Sequence, residues 1–383
     1  MTTEPKLLEI DLDYMVDLMV RLLEMPSPTG RTDEIMRLLG EEVERLGLPV
    51  ELTRRGVLHA EMTGEREDLK RVVVVHADTI GCMVKDIKPN GRLRVVPIGT
   101  WAARFAEGAR VTIFTDEPGT SYTGTILPLK SSGHAFDIEV DTQPVAWDNV
   151  EVRIDERVEG VEDVRALGIQ IGDFVAPHAL PYISDSGFIN ARHLDNKAGV
   201  AAAMAAFKAV KESGLPVPVT ATLVCTVAEE VGLGATNLGP DVAETLSIDA
   251  AVVAPGQHSR EDTVNIAMHD MSGPFDYHLT RRMDAMCRHL GIPYQRDLFT
   301  FYRSDIAAAL EAGTEMRAAL IGFGTDASHG WERTHIDGVE RIAQLVAGYL
   351  QVPFIFAHDA EPVGPVETFP EQEQEVGLKV DPS

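Results

Sequence analysis

The chain has 383 residues, enough for two domains at about 150 residues each. Apolar residues make up 44% and charged residues 25%, which excludes a globally disordered chain. Sixty acidic against 34 basic residues leave a net charge of −26, and a surface this acidic repels phosphate backbones and anionic lipid.

Leu12, Met15, Met19, Leu22 and Leu23 recur at helical spacing, and Pro26 and Pro28 then stop the helix. Ile35, Leu38, Leu39, Val43 and Leu46 mark a second helix. The run Val72–Val75 reads as a strand buried on both faces of a parallel sheet. From Lys88 to Asp185 the texture changes to short strand-like runs (92–98, 110–115, 121–127, 149–155 and 173–176) with glycines beside them. Strands and helices then alternate. Ala198–Lys211 is an Ala-rich helix, Val219–Val227 and Ala250–Ala254 are strands, 283–290 and 304–312 helices, 318–322 a strand and 339–350 a helix. The pattern predicts an α/β fold: a mostly parallel sheet with helices on both faces, built from residues 1–87 and 186–358. An all-β domain at 88–185 is inserted into it. An acidic tail at 359–383 is expected to be disordered.

The N-terminus lacks the pattern of a signal peptide. No run approaches the about 18 apolar residues that span a bilayer. Cys82, Cys225 and Cys287 form no CxxC pair and no complete disulfide set, so a cytoplasmic location is expected.

Four polar clusters fall at predicted element ends, where open α/β sheets bind ligands. His76-Ala77-Asp78 follows the valine run, and Asp78 is placed to orient the His76 ring. Asp195 precedes the Ala-rich helix, where an N-cap is the ordinary role of an Asp. Glu229 and Glu230 end a strand as adjacent carboxylates, one suited to bind a metal and the other to act as general base. His329 and His335 lie between a late strand and the last helix. Together these residues could form a two-cation site with Asp195 between the ions.

The order Pro26-Ser27-Pro28-Thr29-Gly30, His76-Ala77-Asp78, Leu194-Asp195-Asn196-Lys197-Ala198-Gly199, Glu229-Glu230-Val231-Gly232 and a late His resembles the tetrahedral (glutamyl) aminopeptidase family of co-catalytic metallopeptidases. The stretches 333–337 and 254–257 look like its subgroup associated with the osmoprotectant N-acetylglutaminylglutamine amide. The resemblance implies a hydrolase of peptide or amide bonds in small peptides. His76 would bind one metal, Asp195 would bridge, and Glu230 and His335 would bind the other. Glu229 would be the general base, and Asp78 would orient His76. The divalent metal would be zinc, with cobalt or manganese as alternatives, one or two per chain. The inserted β domain would help build a homo-oligomer of up to a dodecamer. Nucleic-acid and membrane partners are not expected.

One departure stands out. The family carries a further carboxylate ligand about two dozen residues after the Glu pair, and that position falls near Ala254 or Pro255. Asp249 reads as the start of its strand, which leaves Gln257 or His258 as substitutes. A weakened His76 site would suit a substrate with a blocked N-terminus. His335 fits the late ligand better than His329, and the choice between them stays open. Two other readings compete: a non-catalytic protein that keeps the fold for assembly or binding, and a related deacylase or carboxypeptidase.

Overall fold

The computed structural model describes residues 4–356, so the tail expected at 359–383 lies outside the described residues. At its centre is a mixed sheet of 12 strands among those residues. The middle is parallel, in the spatial order Val219–Thr226, Arg66–His76, Val242–Val253 and Arg317–Asp326. Antiparallel strands flank it, Leu58–Met62 on one side and Val264–Asp270 on the other. Val72–Val75 are buried, as their apolar run requires.

The two faces are covered unequally. Helices Leu12–Glu24, Asp33–Arg45, Leu194–Ser213, Tyr277–Leu290 and Ile336–Tyr349 pack their apolar sides into one cluster against the sheet. Leu194–Ser213 is buried along most of its length, and its alanines let it lie close to the strands. The opposite face carries the seven-residue helix Asp305–Glu311 and loops around smaller apolar clusters. No described helix is long and apolar enough to cross a membrane.

The inserted unit is a closed barrel of six strands: Gly81–Ile87, Leu93–Ile98, Arg110–Phe114, Ser121–Pro128, Val150–Ile154 and Phe174–Pro177. It has its own core, including Val84, Val95, Val111, Ile126, Val152 and Val175. The barrel begins at Gly81, earlier than the change of texture at Lys88. Cys82 and Val84 point inward, whereas Lys88 lies in the turn closed by its N–H to the Arg92 carbonyl. The barrel therefore starts five residues after His76 and stands directly beside the strand ends.

The strand expected at Ala250–Ala254 is longer and starts earlier, at Val242. Its first half is hidden in the sequence by Glu244, Thr245 and Ser247, all of them buried. Glu244 is kept charged there by Arg71, 2.9 Å away, and it also accepts from the Tyr349 hydroxyl at 2.7 Å and the Ile355 N–H. Arg71 donates further to the carbonyls of Tyr349, Val352 and Pro353. A buried ion pair is tolerated when its remaining donors and acceptors are satisfied in this way.

Candidate active site

The parallel strands deliver the site. His76 is the last residue of its strand and pairs with Thr226, three residues before Glu229. On the other side Ser247 pairs with Val74, so Asp249, two residues further on, stands abreast of His76. Asp195 enters from the face covered by the long helices, at the start of its helix where the backbone is still extended (φ −74°, ψ 104°).

His76 Nε2 lies 3.2 Å from Asp195 Oδ1, 3.6 Å from Asp249 Oδ1 and 3.8 Å from Glu229 Oε2. His329 Nε2 lies 3.5 Å from Asp195 Oδ2 and 3.4 Å from Glu230 Oε2. The two oxygens of Asp195 thus serve different neighbours, one towards His76 and Asp249, the other towards His329 and Glu230. Ligand atoms of His76, Asp195 and Glu230 all fall within 4.8 Å of one another.

A layer of hydrogen bonds fixes these groups. The Asp78 carbonyl accepts from His76 Nδ1 at 3.1 Å, and the Thr100 carbonyl accepts from His329 Nδ1 at 2.8 Å. Each ring thereby presents Nε2 to the carboxylates. The Asp78 carboxylate does a different job from the one expected. It is 3.6 Å from His76 Nδ1 and instead accepts from the N–H groups of Glu229 and Glu230, at 3.1 and 3.3 Å, and from the Thr29 hydroxyl at 2.6 Å. Asp78 positions His76 through its main chain and the glutamate turn through its side chain. The Pro26–Gly30 segment braces this arrangement, with Ser27 Oγ donating to the Ala77 carbonyl. Lys197 Nζ in turn holds the Met25 carbonyl at 2.7 Å. Glu332 accepts from the N–H groups of Asp195 and His329.

Electrostatically the site is an excess of buried negative charge. Burial, with Asp195 nearby, pushes Asp249 up to about 6. Burial pushes Glu230 up to about 8 and Glu332 to about 8. Burial and the charges of Asp249, Asp305 and Glu230 hold Glu229 well above the usual carboxylate range, against the pull of His76. Burial opposes a charge on His329, but Glu230 and Asp195 raise its pKa to about 11. Crowded carboxylates, and a buried His76 Nε2 that makes no hydrogen bond, are what a divalent cation would relieve. The residues therefore fit a metal pair, one ion among His76, Asp195 and Asp249 and the other among Asp195, Glu230 and His329.

Comparison with known proteins gives the family. The family model described as M42 glutamyl aminopeptidase matches residues 56–345. The chain belongs to the M42 family. YhfE of Bacillus subtilis (strain 168) is 34% identical over 341 residues, covering 89% of this chain and 98% of YhfE. The glutamyl aminopeptidase of Lactococcus lactis subsp. cremoris is 27% identical over 237 residues, 60% of this chain and 64% of that protein. Among solved structures, the TET aminopeptidase of a marine sediment Thaumarchaeota archaeon has a TM-score of 0.81 at 20% identity, covering 88% of this chain and 96% of that one. A dodecameric structure titled PhTET1-12s has a TM-score of 0.76 at 21% identity, covering 88% and 98%. As an M42 member the chain is a peptidase.

Two expectations for this M42 chain are corrected. The late histidine beside the carboxylates is His329. His335 points elsewhere: its Nε2 meets the Ser186 carbonyl at 2.9 Å, and its Nδ1 accepts from the Asp337 N–H, capping the last helix. The carboxylate that stands beside His76 is Asp249, 3.6 Å from its Nε2, rather than a residue near Ala254 or Pro255. Gln257 instead donates to the Leu298 carbonyl, and the His258 N–H donates to Asp297. Glu332, which ties Asp195 to His329, was not singled out, although it lies three residues after His329 in the same motif. Asp305 was also missed; its Oδ2 accepts from the Thr226 hydroxyl at 2.8 Å, and burial pushes it up to about 7.

Proposed function

We propose that this chain is a metal-dependent aminopeptidase of small peptides, with Glu229 as general base. The observation that carries this is the placement of the two Asp195 oxygens between the His76–Asp249 pair and the Glu230–His329 pair, with Glu229 alongside. The nitrogen and carboxylate donors suit zinc, with cobalt or manganese as alternatives. When bound, such ions polarise a carbonyl and acidify water.

The chain's own residues supply the rest. Asp78 and Thr29 hold the glutamate turn so that the Glu229 carboxylate faces the cavity. Glu229, with its pKa raised, is suited to take a proton from water and return it to the leaving amine. The cavity of about 1130 Å³ is lined by Glu229, Asp249, Met271 and Phe301 and has room for a short peptide. Asp249 completes the His76 side, which removes the premise for a blocked substrate, so the reading is for peptides with a free amine.

The test is hydrolysis of free dipeptides and an N-acetylated dipeptide amide, before and after chelation and with Zn²⁺, Co²⁺ or Mn²⁺ restored. Free dipeptides should be cleaved, activity should vanish with the chelator, and metal should restore it. Activity indifferent to chelation, or a marked preference for the acetylated amide, overturns the reading.

Assembly is part of the proposal. The solved relative PhTET1-12s is titled as a dodecamer. Here the barrel unit carries exposed Phe105, Phe136, Ile138, Val145 and Ile171, apolar surface of the sort that marks a protein–protein contact. Sedimentation should give several times the mass of one chain, and a monomer at micromolar concentration would remove this part.

A further inference from the structure

The loop before the short helix Asp305–Glu311 carries a group that the proposed reaction does not use. Tyr302 packs its ring against Phe299, with centroids 5.3 Å apart, inside an apolar cluster with Phe275 and Val252. Its main-chain carbonyl accepts from the Met271 N–H, which pins the loop to the turn that follows the strand Val264–Asp270. The residue borders the cavity, yet its hydroxyl is covered and makes no hydrogen bond. A buried hydroxyl without a partner is costly, so such a group has a use in the ligand-bound protein. Tyr302 and Asp249 line the same cavity, and the Tyr302 ring packs with Val252 on the strand that carries Asp249. Burial first, and then the charge of Asp249, raises the pKa of the phenol. Asp249 Oδ1 is engaged by the Ala250 N–H at 2.7 Å and faces His76. These contacts occupy Oδ1 and leave Oδ2 for a side-chain donor.

We propose that Tyr302 is a positioning residue for Asp249, its hydroxyl donating to the carboxylate oxygen that does not face His76 and so fixing the carboxylate for the ion on the His76 side. This rests on the two-metal reading above. A phenol with an ordinary pKa near 10 is a donor at neutral pH, and a hydrogen bond to the rear oxygen of a ligating carboxylate restricts its rotation. Glu230 and His329 face each other on the far side of Asp195, so that side should be indifferent to Tyr302.

The experiment uses the full chain, stripped of metal and titrated with Zn²⁺ in competition with a chromophoric chelator, as wild type, Tyr302→Phe, Asp249→Asn and the double variant. Tyr302→Phe keeps the ring that packs on Phe299, so melting of the metal-free protein should be unchanged. One of two affinities should weaken roughly 10–100-fold, the range for losing a group that orients a metal ligand, while the other holds. Activity at limiting Zn²⁺ should fall and return with excess Zn²⁺. The double variant should bind no more weakly than Asp249→Asn alone, because Tyr302 acts through that carboxylate. Unchanged affinities in Tyr302→Phe, equal weakening of both, or additive losses in the double variant each overturn the assignment. A wild type that binds no divalent ion overturns the two-metal reading and Tyr302's role with it, whereas two tight ions in both wild type and Tyr302→Phe overturn the Tyr302 assignment alone.

Discussion

Glu229→Gln should lower peptide hydrolysis by roughly 10²–10⁴-fold, the range for loss of a general base, while bound metal stays at the wild-type level. The reasoning is geometric. Glutamine keeps the size of the side chain and the main-chain N–H that Asp78 holds at 3.1 Å, so the turn should survive. What is lost is an oxygen able to take a proton. Glu229 Oε2 is 3.8 Å from His76 Nε2, further than the Asp195 and Asp249 oxygens, and His329 faces Glu230 rather than Glu229. Glu229 is thus the carboxylate the two histidines need least. The same change at Glu230 should instead reduce metal content, because Glu230 Oε2 sits 3.4 Å from His329 Nε2. Elemental analysis beside steady-state rates separates the two variants. Activity within twofold of wild type in Glu229→Gln would remove that residue from the mechanism.

That two adjacent glutamates face different neighbours was legible because neighbouring residues at a strand end diverge. The turn that follows is a single 3₁₀ turn, Glu229–Val231, and it directs one carboxylate to each side of Asp195. His76 was legible for a similar reason: an uninterrupted valine run can only be an interior strand, and its end faces the open edge of the sheet. The role of Asp78 was not, since an HxD pattern does not say whether the carbonyl or the carboxylate meets the ring.

Asp249 was misread because sequence patterns locate strands by apolar residues. The Val242–Val253 strand begins with Glu244, Thr245 and Ser247, which look like a loop. They are tolerated inside because Arg71, 173 positions away, neutralises Glu244. That pairing is tertiary and leaves no local trace. The barrel boundary was displaced for a related reason. A turn at Lys88–Arg92 looks like an edge between domains, yet it joins two strands of one barrel. The early start matters to the site, because it brings the Ile80 N–H to Glu230 Oε1 at 3.2 Å and the Thr100 carbonyl to His329. The barrel unit therefore helps shape the site it stands beside.

The assignment of the late histidine yields the second large effect. His329→Ala should remove one of the two metals and lower activity by more than the roughly 100-fold expected from losing a group that only orients a ligand. His335→Ala should leave metal content and catalysis near wild type. Both residues precede the last helix, and the family resemblance favoured His335 because it adjoins the helix. Adjacency to the helix is the reason it is spent elsewhere. Its Nδ1 accepts from the Asp337 N–H as the helix cap, and its ring lies edge-on to Phe188 with centroids 4.9 Å apart. Loss of a cap costs about 0.5–2 kcal/mol, so His335→Ala should lower the melting temperature by a few degrees. His329 has a positive φ of 63°, in the left-handed region, and this turns its side chain back towards Asp195 and Glu230. Glu332 stabilises that conformation by accepting from the His329 N–H at 2.9 Å. The pair of variants therefore exchanges phenotypes: metal loss with modest thermal change in one, thermal change with full metal in the other. Metal loss in His335→Ala with His329→Ala fully loaded would invert the assignment and with it the geometry of the second ion.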